Sequence, residues 1–561
     1  LEENDHRPKQ KEVLKARLLD MLEADYDRHF DQWRWGTIDT GKGRFYYPIP
    51  RDRDQAFFFS DGRMLKFASR RALPFLRGFG NDMPKLEWLN YIARDFDRIF
   101  MTELGESDWE KAITNVQQKM SDDVIRDAVQ QLPPEIYKLN GEKIIQKLIS
   151  RRNGMMQPAM KYYRFLSRTV NVVGSNQKEY FKVSSIGNKL QVRVYEKSRN
   201  SDTSFIMYNR IFDPEVTREI RLFGLHDEDV FEVEKSAASP IKIRIIGGRG
   251  IDTFDIKGKV KVLLYDFKGE GGDFYIKDSS HVKKRFSSDP PVNERTLFGF
   301  NYNTNRFPRL HINYNSDDGL LLGAGFSRRT YGFKNQPYAT DQRFAAIYAA
   351  DRGAIRLHYR GEFNHISRYI DLVVKGNFAS PSLNNFFGWG NRTVINPDLP
   401  RRFYQTLYRY FEGEIMVRRR LYDKLQIMAG PYYYSYRARY ERNSETVLGK
   451  PFLVGLDSAN VFSKKSFAGI KMGLVLDNRN REFFPSRGIH WNNEFIATSD
   501  ISDGEGKYVA FISDMSVYAS LREAAKLIAV IKFGGGRIYS KNYEYFQAMS
   551  AGAQNDLPGF R

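Results

Sequence analysis

The chain has 561 residues, 28% of them charged and 41% hydrophobic, with a net charge of +20 and a mean hydropathy of −0.55. No run of about 18 apolar residues occurs, which excludes a transmembrane helix and leaves a transmembrane β-barrel, whose wall residues are half polar. Cysteine is absent, which excludes disulfides, thiolate catalysis and Cys-ligated metal. The basic residues are spread along the chain, at alternating positions or in turns such as Arg418-Arg419-Arg420. That distribution suits a charged lumen and anionic lipid headgroups, and no nucleic-acid partner is expected. The 33 Tyr and 42 Phe suit aromatic girdles, and a large Tyr-rich soluble β-protein is the alternative. The eight His are scattered, and no H-E-x-x-H, G-x-S-x-G or Walker loop is present. The chain starts at Leu1 with no signal peptide before it, so an exported protein of this kind is expected to be an interior piece of a longer precursor.

Residues 1–170 read as a mainly helical periplasmic domain. Helical spacing runs through Leu86–Leu104, Asp108–Gln131 and Pro134–Ser150, with Pro133 and Pro134 as breakers. Two acidic segments precede these helices: DYDRHFDQWRW from Asp25 and PIPRDRDQAF from Pro48. Their spacing resembles atypical kinases of the HipA, phosphoinositide-kinase and CotH type, which carry D-x-H-x-x-N in the catalytic loop and a metal-binding Asp after a following strand. Phosphoryl transfer needs an Asp to orient the hydroxyl, an amide and a carboxylate on metal, and basic groups on phosphate. The resemblance implies Asp27 as base, supported by Arg28 and His29. Gln32 takes the Asn ligand place, and Asp52, or alternatively Asp54, binds metal; Mg and nucleotide are cofactors only if the site is active. Gln for Asn lengthens that ligand by a methylene, and no Gly-rich loop with a Lys precedes Asp25. A salt-bridged cluster stabilising a scaffold is the competing reading. Trp33, Trp35 and Phe57–Phe59 are expected in a core.

Residues 171–290 read as a β-rich domain, a solenoid or a sandwich, of short strands with Gly/Asp turns. Asp229-Val230-Phe231, Asp252-Thr253-Phe254 and Asp273-Phe274-Tyr275 echo at steps of roughly 20 residues, as stacked solenoid turns would. Within this zone GGRGIDTFDI resembles one calcium-binding glycine-rich nonapeptide, which implies a calcium turn at Gly247, Gly248, Gly250 and Asp252. That signature needs tandem copies at closer spacing, and a tight turn between strands is the alternative.

From residue 291 to 561 the pattern has period two. Leu310, Ile312 and Tyr314 alternate with His311 and Asn313; Ile355, Leu357 and Tyr359 alternate with Arg356, His358 and Arg360; Ile470, Met472, Leu474 and Leu476 alternate with Lys471 and Gly473. One set falls on each face of a sheet, the pattern of a wet lumen inside a lipid-facing wall. Eleven strands are expected, centred near Ile312, Gly323, Ala346, Leu357, Leu372, Gly413, Ile427, Met472, Asn493, Ile512 and Val530. Long loops are expected over 378–400 and 441–465, and short basic turns over 418–424 and 521–526, matching the outer and periplasmic ends of a barrel. Eleven antiparallel strands do not close an ordinary barrel, so further strands are expected after Arg561.

Two segments carry a family resemblance: DNRNREFFPSRG, with Asp477, Arg479, Pro485, Arg487 and Gly488, between the eighth and ninth strands; and NDLPGFR, ending in Leu557, Pro558, Gly559, Phe560 and Arg561, after the eleventh. The pair is similar to signatures of the BamA/TamA-type outer-membrane insertase/translocator superfamily. There an Asp-rich turn with Pro-x-x-Gly follows the eighth strand, and an (L/V/I)-R-G-(F/Y) motif sits in a sixth outer loop folded into the lumen. Pro558 stands where the family has its motif Arg, so the pairing that fixes that loop would need Arg561 or be absent. The resemblance implies an α+β periplasmic region followed by an antiparallel transmembrane β-barrel, with 11 of a probable 16 strands in this chain. It implies assembly or translocation of proteins or lipids at the outer membrane of a gram-negative bacterium. Outer-membrane lipid, client outer-membrane or secreted proteins and accessory lipoproteins are the partners expected. A membrane-anchored phosphotransferase or phosphoesterase-linked enzyme and a passive pore are the alternatives.

Overall fold

The computed structural model describes residues 6–549 except 42, 60–61, 72, 84, 198–205, 270, 288–303, 316, 334–337, 368–369, 391–392, 394, 422–423, 483, 503–505 and 522–526. Residues Leu1–Gly299 and Phe300–Arg561 form two compact units.

In the first unit, strand β1 (His6–Pro8) leads into a helix at Gln10–Glu23, followed by a hairpin of β2 (Trp33–Asp39) and β3 (Arg44–Pro50), with β1 parallel to β3. The helix buries Val13, Leu14, Leu18, Met21 and Leu22 against Trp33, Phe96, Trp109, Ile113 and Tyr162. Ala24 ends it in the left-handed conformation (φ 60°) and turns the chain into the first acidic segment. Further helices span Arg94–Phe100, Glu106–Lys119, Asp122–Gln130, Glu142–Gly154 and Met156–Ser167. The single helix read over Asp108–Gln131 is two: the Ser121 hydroxyl accepts from the Val124 N–H (3.3 Å) and starts a new one.

The chain then winds into a parallel β-solenoid of two sheets. Chain order is β4 (Thr169–Val173), β5 (Glu179–Ile186), β6 (Lys189–Glu196), β7 (Ile206–Phe212), β8 (Glu219–His226), β9 (Val230–Val233), β10 (Lys242–Arg249), β11 (Asp252–Ile256), β12 (Val262–Tyr265), β13 (Gly272–Ile276) and β14 (Val282–Lys284). One sheet is β14-β12-β10-β8-β4; the other is β13-β11-β9-β5, extended by β6 and β7 as an antiparallel hairpin. Parallel register places identical positions of successive coils one above another. Phe181, Phe231, Phe254 and Phe274 stack with centroids 4.7, 5.5 and 5.2 Å apart.

A second ladder lies at the coil corner. Glu179, Asp229 and Asp252 are buried, and each follows a glycine by five residues: Gly174, Gly224 and Gly247. A Cβ on those glycines would meet the paired carboxylate at 2.2–2.5 Å, so only glycine leaves room for it. Asp229 accepts from the Glu179 N–H (2.8 Å), and Asp252 accepts from the Asp229 N–H (2.9 Å). Burial, against hydrogen bonds from Ser175, pushes the Glu179 carboxyl up to about 7; burial and then the Glu179 and Asp252 charges push Asp229 well up. Both groups therefore hold a proton more tightly folded than unfolded. The stability Glu179 contributes in this way is full below the ordinary carboxylate range and is lost as pH rises through about 7. For Glu179 alone the ceiling is roughly 3 kcal/mol. Glu219 works the other way. Burial alone would raise it, but Arg221, Arg244 and Lys242 hold it at about 2, so its contribution is lost only as pH falls below 4.5 toward 2. We expect amide exchange in β9 and β11 to slow from pH 8 to pH 5 after correction for intrinsic rates, and Glu179→Gln to flatten the profile. A flat profile in the unsubstituted protein would contradict this.

The second unit is a continuous antiparallel meander. Its eleven strands are β15 (Thr304–Asn315), β16 (Gly319–Thr330), β17 (Thr340–Ala349), β18 (Ala354–Ser367), β19 (Ile370–Asn385), β20 (Gln405–Leu421), β21 (Leu425–Ala438), β22 (Lys465–Asp477), β23 (Gly488–Asp500), β24 (Lys507–Ala519) and β25 (Ala529–Ile538), each paired with the next. Every expected strand centre falls inside its strand. Among the described residues β15 and β25 do not pair with each other, so the sheet shows no closure. Two boundaries differ from the sequence reading. β19 continues to Asn385, because Ser382–Asn385 pair with Gln405–Tyr408 beyond an irregularity. Arg418-Arg419-Arg420 lie within β20 rather than in a turn, because they pair with Gln426–Met428 of β21, and Asp371 of β19 and Glu362 of β18 hold Arg418.

Candidate functional site

In the first unit, the two acidic segments meet. The helix Gln10–Glu23 and the β2–β3 hairpin bring the loop after Ala24 beside the loop after Pro50, and Arg28 ties them together. Its fully buried guanidinium bonds Asp20 (2.9 and 3.0 Å), Asp25 (3.0 Å) and the Asp52 carbonyl (3.1 Å), and also donates to the Arg51 carbonyl. Tyr26 adds a second tie through Gln55 (2.8 Å). Arg17, equally buried, joins Asp20 (2.7 Å), Asp97 (2.8 Å) and Asn90 (2.6 Å), and Tyr162 donates to Asp97 (2.7 Å). The spacing of the first motif gave no sign of Arg17, Asp20 or Asp97, because the partners lie up to 80 residues apart.

Of the residues that the kinase resemblance picks out, Arg28 is a packing cation. Gln32 is buried, and its amide oxygen accepts from the His29 N–H (3.3 Å), closing a 3₁₀ turn at Phe30–Gln32. Asp27 and His29 are half-buried, while Asp52 (φ 57°) and Asp54 are exposed. The Tyr26 phenol is pushed up by burial and then by the charges of Asp27, Asp54 and Asp25, so carboxylates of both loops act on it. Among the described residues no three His, Asp or Glu side chains are disposed to hold a metal ion. Gly247, Gly248, Gly250 and Asp252 form the solenoid corner. Gly248 (φ 110°) and Gly250 (φ 133°) lie against the Leu225 and Asp227 carbonyls of the previous coil.

In the second unit, the sheet has two chemically distinct faces. One carries a ladder of ion pairs across strands. Asp341 bonds Arg329 (2.5 Å) and Arg343 (3.0 Å); Glu362 bonds Arg360 (2.7 Å) and Arg418 (3.1 Å); Asp371 bonds Arg418 (3.1 Å) and Arg420 (3.2 Å). Glu414 bonds Lys375 (2.5 Å) and Lys471 (3.1 Å), and Lys471 reaches Glu494 (2.9 Å). The alternate positions carry exposed apolar side chains, including Leu310, Ile312, Tyr314, Ile355, Ile415, Val417 and Ile470. Ile312 is 75% exposed. An apolar face of this breadth open to water marks a contact surface.

The turn after β22 is built by Asn side chains. Asp477 forms a two-bond pair with Arg479 (2.8 and 2.7 Å). Asn478 accepts from the Ile489 N–H (2.6 Å), and Asn480 accepts from the Ser486 and Arg487 N–H groups (3.0 and 3.1 Å). Gly488 (φ 113°) has no room for a Cβ against Arg479. Arg487 donates to the Ser520 carbonyl (3.0 Å), and Pro485 is half-buried. Asn478 and Asn480 were readable as local backbone acceptors and were missed beside the louder Asp and Pro.

After β25 the chain returns to the ion-paired face. Phe546 stacks on Tyr436 at 4.0 Å, the Tyr545 and Tyr436 hydroxyls meet at 2.5 Å, and Glu544 pairs with Lys465 (3.4 Å). Leu557, Pro558, Gly559, Phe560 and Arg561 lie outside the described residues.

The sequence matches no protein-family profile and no curated protein. Among solved structures, the chain is similar to BamA from Haemophilus ducreyi lacking POTRA domains 1–3, with 15% identity and a TM-score of 0.30 over 45% of this chain. The chain spans 44% of that structure.

Proposed function

We propose that the second unit is the wall of an outer-membrane β-barrel that assembles or translocates proteins, or lipids, at that membrane, with the first unit in the periplasm. The observation that carries this reading is the two-faced meander. Apolar side chains exposed on one face suit lipid, and ion pairs on the other suit a wet lumen. The return of Tyr545 and Phe546 onto the ion-paired face supports an inward-folded loop. Client strands would add at an end of the sheet such as β15, which among the described residues pairs with β16 alone; outer-membrane lipid and accessory lipoproteins are the other partners. A photo-crosslinking residue at Ile312 in edge strand β15 is expected to capture client chains during their assembly, whereas one at Val374 in interior strand β19 is not. Equal or absent capture at both positions would overturn the assembly role. Steady single-channel conductance without a client defect would then favour a passive pore.

A second reading, a membrane-anchored phosphotransferase, rests on the convergence of the Asp27 loop with the Asp52–Asp54 loop. Binding of Mg-nucleotide by the unsubstituted protein and its loss in Asp52→Ala would support it. No nucleotide binding by the full chain would reject it.

A further inference from the structure

At the long-loop end of β20 and β21, four arginines gather where a sheet should avoid them. Arg409 and Arg437 are directly paired residues on adjacent strands, so two like charges face each other, an arrangement that destabilises a sheet unless an anion lies between them. They share the apolar face: Phe411, Ile415 and Val417 follow Arg409 at alternate positions of β20, and all are exposed. Arg439 and Arg442, from the turn after β21, line the same cavity of about 80 Å³ with Arg409 and Arg437, beside Ser380, Pro381 and Leu407. All four arginines are exposed, and among the described residues none makes an ion pair, although Glu441 lies in the same turn.

Their height on the wall is informative. Phe411 and Tyr433 form an aromatic pair on this face (6.1 Å), with Arg409 two residues, about 7 Å, beyond Phe411. The next charged residue on this face of β20 after Arg409 is Arg419, also exposed; the strand between them runs about 34 Å, which at a tilt of about 40° is roughly 26 Å of height, close to that of a lipid-facing band. The arginines therefore stand just past the aromatic rim, at the level of lipid headgroups. Guanidinium forks bind phosphate oxygens two at a time, and several converging on one cavity exceed what a zwitterionic headgroup needs.

We propose that Arg409, Arg437, Arg439 and Arg442 form a binding site for the phosphate of a lipid whose acyl chains lie along the apolar band of β20 and β21. The site rests on the barrel reading, since it requires that band to face lipid. Bound phosphate would neutralise the Arg409–Arg437 repulsion, making the lipid part of the wall.

The test uses the full chain in detergent and native mass spectrometry. Bis-phosphorylated lipid A, the same lipid after dephosphorylation, and inorganic phosphate are the probes, with Arg409→Gln/Arg437→Gln as the variant. Retention of the phosphorylated lipid is expected to fall roughly tenfold in the variant, the scale of losing charge-assisted hydrogen bonds. Loss of the phosphates should weaken retention of the lipid similarly. Equal retention by variant and unsubstituted protein, or by both lipid forms, would overturn the proposal. Displacement of the lipid by equimolar inorganic phosphate would make it a free-phosphate site and overturn it as well. A fluorophore on Ile415→Cys, reconstituted in bilayers, separates the two failures. If Ile415 lies in lipid and phosphate has no effect, only the site is wrong; if Ile415 lies in water, the barrel reading falls with it.

Discussion

Arg28→Met is expected to cost the first unit about 3–5 kcal/mol, the range for removing one partner of a buried ion network. Asp25 would lose its guanidinium, Asp20 would keep only Arg17 and Arg53, and the Arg51 and Asp52 carbonyls would lose their donor. The helix Gln10–Glu23 and the second acidic loop should separate, seen as faster amide exchange in both. Asp27→Asn, on a half-buried residue, is expected to change stability by less than about 0.5 kcal/mol. The pair thus separates architecture from chemistry: if Asp27→Asn abolishes a phosphotransfer that the folded protein performs, the loop is catalytic. If Arg28→Met leaves exchange unchanged, the account of the junction is wrong.

Phe254→Ala should be as costly to the solenoid. The ring is fully buried between Phe231 and Phe274, so truncation removes about 3–5 kcal/mol in transfer and cavity terms. Because coils stack only on their neighbours, the loss should spread to β9 and β13 before β6 and β7. Tyr275, the next residue in register on β13 and 62% exposed, can be cut to Ala with little effect. Thermal unfolding of the two variants, with exchange by coil, checks both statements. Equal destabilisation by the two would contradict the one-sided core.

What could be read from the sequence follows from how local each signal is. Period-two alternation is a property of a few consecutive residues, so Ile312, Leu357 and Met472 marked their strands directly. Strand ends depend on partners. Arg418 looked like a turn residue until Glu362 and Asp371, 56 and 47 residues away, accounted for it. The Arg17–Asp97 and Tyr436–Tyr545 contacts span 80 and 109 residues and leave no local trace. The four-arginine cavity is similar: Arg409 and Arg437 become neighbours only through the β20–β21 register. The glycine–acid ladder is the opposite case. Gly174/Glu179, Gly224/Asp229 and Gly247/Asp252 repeat one five-residue offset, and comparing the echoing segments at that offset would have exposed the corner.

The central claim is that the apolar face of the meander lies in lipid and the ion-paired face in water. The chain contains no cysteine, so single substitutions along β20 can each carry one fluorophore in the full chain reconstituted in bilayers. Labels at Ile415 and Val417 are expected to emit as in hydrocarbon and to be quenched by lipid-borne nitroxide, while labels at Glu414 and Met416 are not. Emission that fails to alternate, or water-like emission at Ile415 and Val417, would contradict the account.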